Sequence, residues 1–322
     1  MRYIVIGAGA VGGTIGAKLF QGGHDVLLIA RGAHYESLRA SGMKLISPSG
    51  SETLGIPVSD GPVPTGDDDV IVLATKSQDT VAALDPWSRD LPVVLAQNGV
   101  ANEPVALRRF ERVYGMCVWL PALHLEPGVV ISYGTPHPGM LHVGRYPQGV
   151  DDLATQVSAD LAKSGFVARA VPDVMRWKHG KLLGNLGNAA EALCEPGGYG
   201  DIHQQARTEA MGLLDAAGIA FTTQDDERRL RGHLVDLAPI DGVARGGGSS
   251  WQSLARGAGT IEADYLNGEI VLLARELGRP APVNEVLQRE ANRAAREKLP
   301  PGSMTAAKLQ ALIDERSAAV SR

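Results

Sequence analysis

A glycine-rich turn follows the first predicted strand of this chain. The apolar run Tyr3–Ile6 is typical of a short buried strand, and it ends at Gly7. Gly9 and Gly12 come next, and the helical period Val11–Gln21 begins between them. The order strand, glycine turn, helix is that of the first unit of a doubly wound parallel sheet. An isolated glycine pattern is weak evidence, but this position between a strand and a helix makes it specific.

The spacing of these glycines suits a bound dinucleotide. Gly7 permits a tight turn, Gly9 lets the backbone approach a pyrophosphate, and Gly12 lets the helix and the strand pack closely. The helix N-terminus then offers N–H donors to the phosphate charge. We therefore expect six consecutive residues to bind the cofactor: Gly7, Ala8, Gly9, Ala10, Val11 and Gly12.

The residue after the second predicted strand bears on the choice of cofactor. Strand Asp25–Ala30 is followed by Arg31, where NAD-binding chains usually carry a carboxylate for the ribose 2′-hydroxyl. A guanidinium can pair with a 2′-phosphate through two hydrogen bonds. The sequence therefore favours NADPH over NADH. The alternative is that Arg31 is a surface arginine in a turn without a role in cofactor binding. His34 and Arg39 could assist, although nothing in their spacing requires it.

Two further apolar runs, Val70–Ala74 and Val93–Gln97, predict buried parallel strands. Lys76 follows the first run and Asn98 follows the second. Ligands of doubly wound sheets bind beyond the carboxyl ends of the strands, so these two residues should line the cofactor site. Ordinary loop polarity is the alternative, and it is weaker for Asn98 because Gly99 frees the backbone to turn there.

The chain changes character near Pro172. Its 322 residues favour two domains, and 44% hydrophobic residues can build two cores. We expect a Rossmann-type α/β domain over residues 1–172 and a helical domain without strands over residues 173–322, with ligands meeting in a cleft between them. The helices expected in the second domain are Gln204–Ala217, Asp225–Leu237, Glu262–Leu277, Asn284–Lys298 and Met304–Ala319.

Residues 116–145 carry short strand-like pieces separated by proline and glycine, which predict antiparallel strands at the edge of the sheet. His124, His137 and His142 lie in this region without ligand spacing. We expect them to be structural or exposed. The glycine-rich segment Asp241–Ser250 is interpreted as a mobile loop beside a site or as a plain linker.

The segment Trp177–Leu193 places one amine and two amides at regular spacing. Lys181, Asn185 and Asn188 stand at offsets of zero, four and seven, which puts them on one face if the segment is a single helix. Lysine with two asparagines is unusual for a solvated face, although a merely wet stripe is the alternative. The neighbouring stripe is apolar and predicts a buried face: Leu182, Leu186, Ala189 and Leu193.

Charge and cysteine content restrict the partners. A net charge of -5 gives no basic surplus for nucleic acid or anionic membranes, so small molecules are the expected partners. Cys117 and Cys194 lie far apart and form no ligand pattern, which predicts neither a disulfide framework nor a metal site. The N-terminus resembles no signal peptide, and no apolar run approaches the length of a membrane span. We expect a cytoplasmic protein; a homodimer is left open.

The sequence resembles the 2-dehydropantoate 2-reductases, also called ketopantoate reductases, over nearly its whole length. Ser250 and Glu262 are separated by the 12 residues seen in that family. The other segments that carry the likeness are IVIGAGAVGG at 4–13, Arg31, Thr75-Lys76, Asn98-Gly99, KLLGN at 181–185 and EADYLNG at 262–268.

This resemblance implies both a fold and an activity. The fold is a doubly wound domain followed by an all-α domain like the C-terminal domain of 6-phosphogluconate dehydrogenase. The activity is NADPH-dependent reduction of a small 2-keto acid, with ketopantoate to pantoate, in pantothenate biosynthesis, as the first candidate. Alternatives are the reduction of another keto acid or ketone on the same scaffold, and an NADPH-binding sensor without turnover.

The resemblance also implies residue roles. Lys181 matches the general acid, Asn185 matches a substrate-binding amide, and Asn98 matches a residue near the nicotinamide. Ser250 would donate to the substrate carboxylate. A carboxylate repels an anionic substrate unless Glu262 pairs with Lys181 or accepts from a substrate hydroxyl; we favour the hydroxyl, and we also expect Glu262 near the cofactor. Capping offers structural alternatives for the last two, with Ser250 capping a helix that begins at Trp251 and Thr260 capping a helix that contains Glu262.

Three departures from the family pattern concern the site. Ile261 replaces a threonine, and Trp177 lies four residues before Lys181 where many members have an offset of two. Asn188 comes seven residues after Lys181, whereas some members carry the second amide at eight. Each residue of shift rotates a helical side chain by roughly 100 degrees, which makes Asn188 a weaker candidate than Asn185 for substrate binding.

Overall fold

The computed structural model describes residues 1–242 and 246–320. These residues form two compact units. The first comprises 1–97, 101–178 and 223–242, and the second comprises 98–100, 179–222 and 246–320. The domain limits placed at residue 172 from the sequence stay a prediction.

The strands of the described residues are β1 (Arg2–Ile6), β2 (Asp25–Ile29), β3 (Met43–Ser47), β4 (Gly50–Leu54), β5 (Val58–Ser59), β6 (Asp69–Leu73), β7 (Val93–Leu95), β8 (Val113–Trp119), β9 (Ala122–Leu123), β10 (Val129–Ser132), β11 (Gly134–Pro136), β12 (Met140–Arg145), β13 (Val167–Ala170) and β14 (Val235–Leu237). The helices are α1 (Ala10–Gln21), α2 (Gly32–Ser41), α3 (Thr80–Leu84), α4 (Asn102–Leu107), α5 (Asp152–Lys163), α6 (Val174–Asn185), α7 (Asn188–Leu193), α8 (Gly200–Ala216), α9 (Gln224–Arg231), α10 (Ser249–Ala255), α11 (Asn267–Glu276), α12 (Pro282–Arg296) and α13 (Ala306–Val320). Short 3-10 helices cover Ser77–Asp79 and Glu262–Tyr265.

The main sheet of the first unit has the order β13-β12-β8-β7-β6-β1-β2-β5. β1 is parallel to both β2 and β6, and β7 continues the parallel part beside β6. The side chains of β1 and β6 are almost all buried, as expected of a parallel sheet covered on both faces. β1, β6 and β7 therefore end at one shared edge, and the glycine turn begins there.

The antiparallel extension of this sheet is confirmed. β12 pairs antiparallel with β8 over six residues, and β13 then pairs parallel with β12. The other short strands of residues 116–145 go elsewhere, because β9 and β10 join the hairpin β3–β4 in a separate sheet of order β4-β3-β10-β9. The predicted fold class, an α/β sheet domain followed by helices, holds for the chain.

Two predicted helices of the second half are wrong in part. The helix predicted over Asp225–Leu237 ends at Arg231, because Gly232 turns with φ of 46° and leaves the helical path. Val235–Leu237 instead forms a strand that pairs antiparallel with β11, so the second half is not free of strands. The helix predicted over Glu262–Leu277 is interrupted at Leu266, where a 3-10 helix gives way to α11.

The helix predicted over Trp177–Leu193 is also broken. α6 ends at Asn185 and α7 begins at Asn188. The amide Nδ2 of Asn267 donates to the Leu186 carbonyl oxygen at 3.1 Å, which satisfies a carbonyl freed by the break. The apolar stripe is confirmed as buried, but Asn188 does not continue the stripe of Lys181 and Asn185 on one helix.

Two expectations drawn from composition can be set beside the structure. Cys117 and Cys194 are both buried, and neither forms a disulfide within the described residues. Over the described ranges, none of the helices combines the length and the apolar character that crossing a bilayer requires.

Candidate active site

The three glycines of the turn have different roles. Gly7 and Gly12 are required by the fold, whereas Gly9 leaves unfilled space beside the backbone. Gly7 adopts a φ of 95°, and an added Cβ would lie 2.9 Å from the Thr75 nitrogen. A Cβ at Gly12 would collide with the Gly7 carbonyl oxygen. At Gly9 the nearest heavy atom to an added Cβ would be a ring carbon of His124, at 3.8 Å. Gly7 and Gly12 are thus needed for packing, whereas Gly9 keeps its surroundings open.

The space at Gly9 lies beside the N-terminus of α1. Gly9 is the N-cap residue, so no side chain caps the first-turn N–H groups, and the first turn contains no acidic residue. Backbone N–H donors and the positive end of a 12-residue helix therefore meet at this point. These features fit the pyrophosphate of a dinucleotide.

A histidine pair supports the glycine turn. His34 Nε2 lies 2.8 Å from the Ala8 carbonyl oxygen, and the Gly128 N–H donates to His34 Nδ1 at 2.9 Å. Because Nδ1 accepts, Nε2 carries the hydrogen and the ring is neutral. Burial lowers the pKa of His34 and keeps it in this form. His124 packs against His34 at a tilt, with ring centroids 4.3 Å apart and ring planes at 51°. Sequence reasoning gave His124 no role, since only the fold brings it to Gly9.

Arg31 and Lys76 occupy the places expected of residues that follow strands. Arg31 is exposed and forms the N-cap position of α2, just after β2. Lys76 is half-buried and precedes the 3-10 helix that follows β6. Both roles toward a cofactor stay predictions.

Asn98 lies in a tight turn. It is half-buried and is followed by Gly99, whose φ is 76°. An added Cβ at Gly99 would lie 2.7 Å from the Tyr265 carbonyl oxygen, so a glycine is required at this position for two reasons. The predicted freedom of the backbone at Asn98 is consistent with this geometry.

Lys181 and Asn185 lie one turn apart in the last turns of α6. Lys181 is half-buried, and Asn185 is only 4% exposed. The Asn185 Nδ2 group has no hydrogen-bond partner among the residues that the structure describes. A buried amide donor without a partner is costly, and such groups often mark a place where a ligand completes the bonding.

Asn188 contacts the segment that leads into α10. Its Nδ2 donates to the Ser249 Oγ at 3.4 Å. On the same helix, Glu191 accepts a hydrogen bond from the Gly248 N–H at 3.0 Å. A Cβ at Gly248 would lie 2.6 Å from that carboxylate oxygen, so a larger residue there would require the Glu191 side chain to shift. α7 therefore holds the start of α10, where Ser250 lies.

Ser250 and Glu262 are both buried, at 3% and 6% exposure. Ser250 is the second residue of α10, whose N-cap is Gly248, so the alternative that Ser250 caps a helix beginning at Trp251 is wrong. Glu262 opens a 3-10 helix whose N-cap is Ile261 and which has no side-chain cap, so the Thr260 cap is also wrong. Of the segment Asp241–Ser250, residues 243–245 lie outside the described residues.

A cation near Glu262 was missed by the sequence reasoning. Partial burial of its guanidinium lowers the pKa of Arg256, and the negative charge of Glu262 opposes that effect. Glu262 was difficult to reconcile with an anionic substrate on charge grounds, and Arg256 offsets that charge locally. The only sequence signal was an arginine six residues before Glu262.

Comparison with known proteins assigns the chain to a family. A family model described as ketopantoate reductase PanE/ApbA matches residues 3–148, and its C-terminal counterpart matches residues 173–294. The chain belongs to the ketopantoate reductase PanE/ApbA family. It is 28% identical to a 2-dehydropantoate 2-reductase of Pyrococcus horikoshii over 89% of this chain and 95% of that protein. A 2-dehydropantoate 2-reductase of Mesorhizobium japonicum is 27% identical over 92% and 99%.

Solved structures agree with this family assignment. A PanE/ApbA family ketopantoate reductase from Ralstonia eutropha superposes with a TM-score of 0.76 at 27% identity, covering 92% of this chain and 99% of that one. D-mandelate dehydrogenase with NADH and anilino(oxo)acetate gives a TM-score of 0.78 at 19% identity over 93% and 99%, which supports the fold alone.

The two ketopantoate reductase models together contain every predicted site residue. The glycine turn, Arg31, Lys76 and Asn98 lie in the first matched span, and Lys181 through Glu262 lie in the second. The individual roles of these residues stay predictions.

Proposed function

We propose that this ketopantoate reductase family member reduces a small 2-keto acid with NADPH, and that ketopantoate is its substrate. The observation that carries the proposal is the pair Lys181 and Asn185 on α6, with a buried amide donor that has no partner among the described residues. An amine beside an unsatisfied donor suits a ligand with oxygen acceptors. A keto acid provides such acceptors in its carbonyl and its carboxylate.

The cofactor would be held by the glycine turn and by the residues that follow β2, β6 and β7. The open N-terminus of α1 at Gly9 suits the pyrophosphate, and Arg31 suits a 2′-phosphate. Lys76 and Asn98 would line the nicotinamide end. When bound, the reduced nicotinamide supplies a hydride to the carbonyl carbon of the substrate.

Lys181 would act on the carbonyl oxygen. Negative charge grows on that oxygen as the carbonyl is reduced, and an ammonium at hydrogen-bond distance stabilises the charge and donates the proton. Asn185 would orient the substrate through its Nδ2 donor without adding charge. Because Asn185 is buried, its Nδ2 group points in one direction, which would hold the substrate in a single orientation for reaction.

Ser250 and Glu262 would select the substrate. The Ser250 hydroxyl can donate to the carboxylate of the keto acid, and its burial makes that bond stronger than in water. Glu262 would accept from a substrate hydroxyl, with Arg256 offsetting the carboxylate charge. A keto acid that lacks the hydroxyl would leave Glu262 without this partner, which predicts discrimination against it.

Steady-state kinetics on a panel of keto acids tests the proposal. We expect the highest kcat/KM with ketopantoate and NADPH, and a fall in kcat of about 100- to 10,000-fold in Lys181→Ala at an unchanged thermal midpoint. Arg207→Ala, an arginine outside the site, is the control. A preference for another keto acid would contradict the substrate, and NADPH binding without turnover of any carbonyl would contradict an enzymatic role.

A further inference from the structure

A buried ion pair lies beneath the loop that precedes Asn98. The ammonium of Lys178 pairs with the carboxylate of Glu103, and their side chains are only 2% and 0% exposed. Lys178 Nζ also donates to the Gln97 carbonyl oxygen at 2.9 Å. That oxygen belongs to the peptide group that joins Gln97 to Asn98. The ion pair therefore fixes the orientation of the Gln97–Asn98 peptide group, where the Asn98 turn begins.

The Gln97 side chain connects this point to the neighbouring loop. Its Nε2 donates to the Thr75 carbonyl oxygen at 3.0 Å and to Thr80 Oγ1 at 2.9 Å. Thr80 Oγ1 donates to Asn102 Oδ1 at 2.8 Å, and Asn102 Nδ2 donates to Ser77 Oγ at 3.0 Å. We call these residues the loop network: Thr75, Ser77, Thr80, Gln97, Asn102, Glu103 and Lys178.

The loop network touches the residues on both sides of Lys76. Thr75 accepts through its carbonyl and Ser77 accepts through its hydroxyl. The network thus anchors the two loops that carry Lys76 and Asn98 through groups adjacent to these two residues.

Stability alone does not explain a buried ion pair. Removing two charges from water costs several kcal/mol per ion in general, and apolar replacement of a buried pair is often neutral or stabilising. Two apolar side chains could fill the same volume beside Gly115 of β8, but neither could donate to the Gln97 carbonyl. The donated hydrogen bond is what this pair provides and an apolar pair cannot.

We propose that Lys178, with Glu103 as its counter-ion, is a positioning residue for the nicotinamide end of the cofactor site. Lys178 fixes the Gln97–Asn98 peptide directly and fixes the Lys76 loop through the Gln97 amide. This inference rests on the proposed function, in which Lys76 and Asn98 line that end of the site. Lys178 lies three residues before Lys181 on α6, so one helix both orients this loop and carries the proposed acid.

The test compares Lys178→Met with the double variant Lys178→Met/Glu103→Leu. The single variant leaves the Glu103 carboxylate buried without its counter-ion, which should lower the thermal midpoint. The double variant removes both charges, so its thermal midpoint should return toward that of the wild type. We expect the double variant to bind NADPH about tenfold more weakly in equilibrium titrations without substrate. Hydrogen exchange should be faster in peptides 74–80 and 96–102.

Tyr3→Phe is the matched control. The Tyr3 hydroxyl donates to Asp160 at 2.7 Å in the same unit, and Tyr3 is the second residue of β1, near the end of the strand opposite the glycine turn. This variant also loses one buried hydrogen bond, but it should leave NADPH binding and exchange of the two peptides unchanged. A double variant with wild-type midpoint, NADPH affinity and exchange would overturn the proposal.

Two further outcomes can be told apart from a failure of the positioning role. If the double variant does not fold, the other apolar pair Lys178→Leu/Glu103→Met removes the same hydrogen bond to the Gln97 carbonyl, and wild-type NADPH affinity and exchange in that variant would overturn the positioning role. If the wild type binds NADPH but reduces no keto acid, the proposed function fails, whereas the titrations and the exchange rates still decide the role of Lys178.

Discussion

The side-chain amide of Asn188 donates a hydrogen bond to the hydroxyl of Ser249, the residue directly before the proposed substrate ligand Ser250. Asn188 was expected to contact substrate as part of one helical stripe with Lys181. The break between α6 and α7 instead gives it a partner inside the protein. This bond helps to hold the start of α10 in place, and the contact of Asn188 with substrate stays a prediction.

Asn188→Ala should therefore affect binding more than chemistry. Loss of a neutral hydrogen bond corresponds to about 0.5–1.5 kcal/mol, so we expect KM for the keto acid to rise roughly 2- to 12-fold with kcat nearly unchanged. Initial-rate measurements at saturating NADPH separate the two constants. A fall in kcat as large as that of Asn185→Ala would instead place Asn188 at the reacting carbonyl.

Gly9 and Gly12 should respond differently to the same substitution. Gly12→Ala should prevent folding or strongly lower the thermal midpoint, because its Cβ would collide with the Gly7 carbonyl oxygen. Gly9→Ala should fold normally, since its Cβ meets only His124 at 3.8 Å, yet it should lose NADPH affinity by filling space at the α1 N-terminus. Thermal unfolding and NADPH titration of the two variants check this. Normal NADPH binding by Gly9→Ala would argue against a pyrophosphate at that position.

Arg31→Ala should reduce the preference for NADPH over NADH. A charged hydrogen-bonded contact corresponds to about 1.5–3 kcal/mol, which predicts a fall of roughly 10- to 150-fold in the ratio of kcat/KM values. Arg89→Ala is the control, because Arg89 also lies on the surface and pairs with Asp85 at 3.5 Å. An unchanged ratio in Arg31→Ala would remove this residue from the 2′-phosphate.

His142 should make stability depend on pH. It is fully buried between Trp119 and Trp177, and burial, followed by the charge of Arg169, lowers the pKa of His142 to about 4. The unfolded chain takes up the proton near pH 6.5, so the contribution of neutral His142 is complete above that pH. It decreases as the pH falls toward 4, by about 3 kcal/mol in total.

Urea unfolding of wild type and His142→Phe across this range measures the effect. The difference in unfolding free energy between the two proteins should change between pH 6.5 and 4 and stay constant above pH 6.5. Parallel pH profiles would show that another group is responsible for the loss of stability in acid.

The parallel sheet and the glycine turn could be predicted because their signals are local. β1, β6 and β7 are uninterrupted apolar runs, and Gly7 must adopt a positive φ directly after a strand. The break after Asn185 could not be predicted, since it is stabilised by Asn267, 81 residues away in the chain. β14 escaped prediction for the same reason, because its partner β11 lies about a hundred residues earlier.

The residues of the candidate site also fall into two groups, those that the sequence could predict and those that only the fold reveals. Lys181, Asn185, Ser250 and Glu262 were found from spacing and resemblance, which depend on sequence alone. His34, Arg256 and Lys178 contact their partners only in the folded chain, and no spacing rule relates Lys178 to Glu103 or His34 to Gly128. Polar residues that act through tertiary hydrogen bonds thus remain outside the reach of motif reasoning.

The early end of α6 has an electrostatic consequence for Lys181. A helix that continued to Leu193 would have left Lys181 in its middle, where the peptide dipoles have little net effect. Because α6 ends at Asn185, Lys181 lies in the final turns, close to the negative end of the helix macrodipole. The negative end of a helix is a favourable place for a cationic side chain, so the break that ends α6 would also serve the acid proposed at Lys181.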